Sequence, residues 1–117
     1  MVIDLSKIKI FLKPGATDMR KAINGLSGMV RNELGEDPFS GNLFLFLSRS
    51  RDNMKALYWD RNGYCLWQKR LEKHKFPWPN NDSKCWSLTK DELLMLLRGI
   101  DFFNVHTELK YGSNSAG

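Results

Sequence analysis

The chain has 117 residues, of which 42% are hydrophobic and 26% charged, with a formal net charge of +5 and two cysteines. This is enough for one domain with its own hydrophobic core and too little for two, so the expected unit is a single domain over residues 1–111 followed by a disordered tail, residues 112–117. No apolar run approaches the roughly 18 residues of a membrane span, and Met1 to Lys13 alternates apolar and charged residues instead of forming the apolar core of a signal peptide, so the expected compartment is the cytoplasm.

Ile8, Ile10 and Leu12 alternate with Lys7, Lys9 and Phe11, which predicts a first strand that Pro14-Gly15 breaks. Thr17 is placed to cap a helix whose apolar positions Met19, Ala22, Ile23, Leu26, Met29, Val30 and Leu34 follow a 3.6-residue period, with Gly35 as its stop. Gly25 and Gly28 inside it suggest close packing against that turn. Leu43-Phe44-Leu45-Phe46-Leu47 is apolar on both faces, as a strand in mid-sheet must be.

A polar loop from Ser48 to Asn53 leads into a strand ending at Trp59, and Asp60-Arg61-Asn62-Gly63 has the chemistry of a tight hairpin turn. The turn favours a returning strand, although Tyr64, Trp67 and Leu71 also fit a helical stripe, which leaves residues 64–72 open between the two. Phe76-Pro77-Trp78-Pro79 is restricted to an edge strand or an extended loop, and a surface turn is expected from Asn80 to Lys84. Thr89 with Glu92 forms a capping box, Leu88 with Leu93 the matching staple, and Gly99 followed by Ile100 a glycine stop with its hydrophobic contact. The order predicts an α+β fold: a single antiparallel meander sheet of four to five strands with two helices packed on one face.

The positive charge is localised. Between Arg49 and Lys90 the bases outnumber the acids by six, and the rest of the chain carries a net −1. All four tryptophans, Trp59, Trp67, Trp78 and Trp86, fall in the same stretch. A compact cationic face collects polyanions, because neutralising phosphates releases condensed counterions, and nearby aromatic planes can stack on bases. Trp59 and Trp67 flank the hairpin and are expected in the core; Trp78 lies between prolines and is expected to be exposed.

Catalytic chemistry has little to stand on. His74 lies in a lysine run and His106 near the C-terminus, each without an orienting partner, and the acids fall in turns and caps. Cys65 and Cys85 stand twenty positions apart with no ligand at metal spacing, and are expected to be buried thiols. No catalytic residue, metal, cofactor, membrane or small-molecule substrate is expected.

Read in order, PGATDMRKAINGL, LGEDPFSGNLFLF, KALYWDRNGYCLWQKRLEK, KFPWP and LTKDELLMLLRGID resemble the TnpB accessory protein, or second-open-reading-frame-like protein, of insertion-sequence family sixty-six, a bacterial transposable element. That family is distinct from the RNA-guided nuclease of the same name. The resemblance runs from about Ile8 to Asp101 and implies a small accessory factor encoded beside a separate transposase. It supplies no catalytic residues. Members commonly have glycine near the position of His74, so the turn after KRLEK departs from the pattern here.

Charge and loop placement make Arg49, Arg51, Lys55, Arg61, Lys69, Arg70, Lys73 and Lys75 the expected contacts to DNA at the element ends. The alternative is an adaptor that grips the element's transposase through exposed aromatics, for which Phe76 and Trp78 are the expected contacts.

Overall fold

The computed structural model describes residues 4–80 and 85–99. The expected tail, His106, the Ile100 contact and most of the expected 80–84 turn lie outside the described residues. The elements are β1 (Ile10–Leu12), α1 (Ile23–Asn32), β2 (Leu43–Leu47), β3 (Asn53–Asp60), β4 (Gly63–Arg70), β5 (Trp86–Leu88) and α2 (Lys90–Leu97). Residues 64–70 are therefore strand, held by the two-residue turn at Arg61-Asn62 in register with β3, Asp60 opposite Gly63 and Asn53 opposite Arg70.

The five strands form one sheet in the order β4-β3-β2-β1-β5, with the doubly apolar β2 at its centre. The sheet is mixed, which corrects the expected antiparallel meander: β1 runs parallel to β2, Ile10 opposite Leu43 and Leu12 opposite Leu45. The cause is α1. A helix inserted between two neighbouring strands carries the chain back along the sheet, so the second strand starts at the same end as the first and runs alongside it. β5 then pairs antiparallel with the far side of β1.

The helices also lie on opposite faces, not on one. Leu43, Leu45 and Leu47 of β2 share a core with Leu93 and Leu96 of α2, together with Phe76 and Trp78. Phe44 and Phe46 share the other core with Leu26, Met29 and Val30 of α1. Side chains alternate across a strand, so helices on both faces are what a five-residue run of buried Leu and Phe requires. Each such side chain taken from water stabilises by about 1.5–3 kcal/mol.

α1 begins at Ile23, several residues later than its apolar period suggests, and its N-cap Ala22 makes no side-chain cap bond. Thr17 does not cap it. The Thr17 amide donates instead to Leu47 O at 2.7 Å, tying the loop to the end of β2. Gly28 has open space where a Cβ would stand, so no close packing accounts for it; at Gly25 a Cβ would meet only the Lys21 side chain. The capping box of α2 forms as expected, with Glu92 N donating to Thr89 Oγ1 and Thr89 N to Glu92 Oε1. Gly99 closes the helix with a φ of 79°.

Candidate nucleic-acid interface

The topology sorts the loops to two ends of the sheet. β1 and β2 are parallel, so the loop after each leaves at the same end; β3 starts there, β4 finishes there opposite Asn53, and β5 starts there opposite Leu12. At this loop end meet residues 13–22, 48–52 and the segment from Leu71 onward. The Arg61-Asn62 turn is at the other end, separated by the eight residues of β4, about 25 Å at strand rise. The expected contacts are thereby divided: Arg49, Arg51, Arg70, Lys73 and Lys75 come together, and Arg61 does not join them.

The segment after β4 crosses the loop end through a series of backbone bonds. Leu71 N donates to Asp52 O and Phe76 N to Arg51 O, both at 2.7 Å, and Gly15 N donates to Pro79 O at 3.0 Å. Trp78 Nε1 donates to Lys13 O at 2.8 Å. Phe76 and Trp78 are the anchors of this crossing, only 1% and 6% exposed. That overturns their expected role as exposed partner contacts. The prolines on either side of Trp78 exclude it from a strand ladder, and burial under the crossing is what remains for a large apolar ring. Trp59 and Trp67, expected in the core, are only half-buried.

Two expected DNA contacts are committed elsewhere. Lys55 is 9% exposed, and its Nζ donates to Met19 O at 2.9 Å and Lys21 O at 3.0 Å, carbonyls just before α1. It points to the α1 face with Leu57, opposite Phe46, and fastens the 16–22 loop to the sheet. Lys69 Nζ donates to Leu97 O at 3.1 Å, satisfying a carbonyl at the negative end of α2. Strand alternation accounts for both: Lys55 faces the α1 side of the sheet and Lys69, opposite Met54, the α2 side, where each meets backbone carbonyls beside a helix end.

The remaining cations are exposed. Neither Arg49 nor Arg51 has an ion-pair partner among the described residues. Arg51 holds a left-handed backbone, φ 66°, and so does Arg61 at the hairpin tip, φ 55°. This conformation costs a non-glycine residue about 1 kcal/mol. At Arg51 it lets one residue accept from Phe76 N and donate its own amide to Ser48 O.

Sequence reasoning passed over further cations at this end. Arg98, after α2, lines a cavity with His74 and Lys75. Arg20 sits on the first loop, paired with Asp18 at 2.7 Å. The Arg20 hydrogen bonds hold the Asp18 carboxyl down to about 2, and the Ser50 hydroxyl holds that of Asp52 below its ordinary value. These acids are thus engaged by local donors. Only the chain reversal imposed by α1 and α2 brings Arg20 and Arg98 to this end, and no local pattern announces that.

The exposed aromatic surface is at the opposite end. Phe39, 50% exposed, packs edge-on to Trp59 and stacks on Tyr64, with ring centroids 5.0 and 5.6 Å away, and the Arg31 guanidinium lies 5.8 Å from its centroid. Phe39 was not among the expected contacts. The cross-strand pairing of Trp59 with Tyr64 could have pointed to it only once the 33–42 loop was known to fold beside the hairpin.

Among the described residues no cluster of His, Cys, Asp and Glu could hold a metal ion, and no helix is long and apolar enough to cross a membrane. Both cysteines are half-buried free thiols, and burial raises that of Cys85 to about 11.

Residues 8–107 match the family described as IS66 Orf2 like protein. Two uncharacterised proteins of Sinorhizobium fredii, y4hO and y4jC, are similar over most of their length. The first is 35% identical over 81% of this chain and 83% of its own, the second 31% identical over 84% of each. No solved structure matches the chain. The chain belongs to the IS66 Orf2-like family of insertion-sequence-associated accessory proteins.

Proposed function

We propose that this IS66 Orf2-like chain is a non-enzymatic DNA-binding accessory protein of transposition, and that it meets the ends of its element with the loop end of the sheet. One observation carries the reading: the 48–52 loop and the segment after β4 are tied together by Leu71 N to Asp52 O and Phe76 N to Arg51 O, which brings exposed Arg49, Arg51, Arg70, Lys73 and Lys75 to one end. Exposed cations of this kind suit backbone phosphates, which position a protein on DNA without specifying sequence. Lys55, Lys69 and Arg61 are outside this surface.

Binding should weaken steeply with salt, with a log–log slope of about −0.9 per phosphate neutralised. Reversal of Arg49, Arg51, Lys73 and Lys75 to glutamate, all exposed, should abolish binding to a terminal-repeat duplex and leave the circular dichroism spectrum unchanged. Retained affinity in a folded variant overturns the reading.

A second reading, an adaptor for the transposase, draws support from the Phe39 surface in place of Phe76 and Trp78. Its signature is salt-insensitive co-purification with the transposase that is lost in Phe39→Ala, alongside no shift of terminal DNA at low salt.

A further inference from the structure

Between the first and second loops of the loop end lies a cavity of about 660 Å³, lined by Thr17, Met19, Arg20, Ser48, Arg49 and neighbouring residues. A second cavity of about 180 Å³ shares its Ala16, Ser48 and Arg49 walls and extends to Arg51 and Trp78. Arg49 therefore stands between two adjoining hollows.

One residue lining the larger cavity carries a polar group that the fold leaves unused. Thr17 is 5% exposed, and its Oγ1 is buried without a hydrogen-bond partner among the described residues. A buried hydroxyl in that condition destabilises the protein, and its neighbours show that the omission is specific. Ser48 Oγ lies 3.0 Å from Ser50 Oγ and accepts from Asn53 N, Ser50 Oγ donates to Asp52, and Asp18 is taken up by Arg20 in a bidentate pair. Among the described residues the Thr17 hydroxyl and the Arg49 guanidinium are left as donors without acceptors, both on residues that line the cavity. The complement to that pair is an oxyanion with several lone pairs, and a phosphate has that chemistry.

The volume narrows the ligand further. The crevice is open to solvent and, at about 660 Å³, has room beyond a lone phosphate for a sugar and base, within the range of ordinary small-ligand pockets. A stacked, paired base cannot enter a concavity between two protein loops, but an unpaired one can. We infer that the crevice between the Thr17 and Ser48-Arg49 loops is a subsite for one unpaired nucleotide, its phosphate held by Arg49 and by the Thr17 hydroxyl once rotation about χ1 turns it to the crevice, and its base against Met19. This rests on the DNA-binding reading above and deepens it: the surface recognises a strand end or a frayed position, beyond duplex backbone.

The test compares a blunt duplex with the same duplex bearing a single 5′-phosphorylated overhanging nucleotide, by fluorescence anisotropy on the full chain. The overhang should tighten binding about tenfold, the scale of hydrogen bonds to a charged group. Thr17→Val keeps the side-chain shape and removes the unpartnered hydroxyl, so its thermal midpoint should hold or rise while most of the overhang advantage disappears. Arg49→Gln should remove the advantage as well. Equal affinity for the two duplexes, or an overhang advantage that Thr17→Val leaves intact, overturns the nucleotide subsite while DNA binding stands. Failure of both duplexes to bind at low salt overturns the subsite together with the DNA-binding reading.

Discussion

The two ends of the sheet are built by opposite means. At the hairpin end, a two-residue turn joins β3 to β4, and Phe39 of the 33–42 loop packs with Trp59 and Tyr64 in a small cluster at the surface. At the loop end, three long connections hold one another by backbone bonds, and their large side chains are buried as anchors while the cations stay outside. An end assembled from distant segments can concentrate charge that no single segment carries. The hairpin end displays a small aromatic cluster to which the 33–42 loop adds Phe39.

The contrast breaks most visibly in stability. Trp78→Ala removes a buried ring and its bond to Lys13 O, and should destabilise the protein by about 3–5 kcal/mol in urea unfolding; Phe39→Ala, at the exposed cluster, should cost about 1 kcal/mol or less. Similar losses in both variants would mean that the crossing segment is not the anchor of the loop end. Lys55→Met comes next. It leaves the Met19 and Lys21 carbonyls without their donor, and should cost about 1–3 kcal/mol while salt-dependent DNA binding persists in the folded fraction.

A matched pair then compares the ends directly. Arg51→Gly and Arg61→Gly each relieve a left-handed backbone and each remove one positive charge. Both should therefore be neutral or slightly stabilising, within about 1 kcal/mol. Only Arg51→Gly should weaken DNA binding and make the salt slope shallower by about 0.9, the value of one phosphate contact. Equal effects would place the hairpin tip on the DNA as well.

The smallest expected effect concerns Asp18. Its folded carboxyl is held at about 2 against an ordinary 3.8, so the stability it contributes is present above pH 3.8 and is lost as pH falls toward 2. Asp18→Asn should flatten the urea midpoint in that window. At neutral pH the same variant releases Arg20 from its partner, so DNA affinity at the loop end should rise modestly; anisotropy measures the second effect and acid-range denaturation the first.

Local sequence was a good guide wherever a backbone interaction reaches only a few residues. The Thr89-Glu92 capping box, the Gly99 stop, the hairpin between Trp59 and Tyr64, and the strand Leu43–Leu47 all follow from neighbours in the chain, and each formed as its residues imply. Composition likewise localised the charge between Arg49 and Lys90, because it is independent of folding. Local sequence failed for side chains whose partner lies far along the chain. Lys55 reads as a surface cation until Met19 and Lys21 are folded over it, and Trp78 reads as an exposed ring until Lys13 supplies its acceptor.

What the sequence determined by itself is therefore the family, the strand segments, the presence of both helices and a localised cationic stretch, since these depend on residue identity and short-range periodicity. The tertiary structure decided the direction of β1, the covering of both sheet faces, which of eight expected cations remain exposed, and the two-loop crevice at Thr17 and Arg49. Those are products of strand order and chain reversal. They bring together residues more than thirty positions apart, as with Lys55 and Met19, 36 residues away, where no local pattern in the sequence can link them.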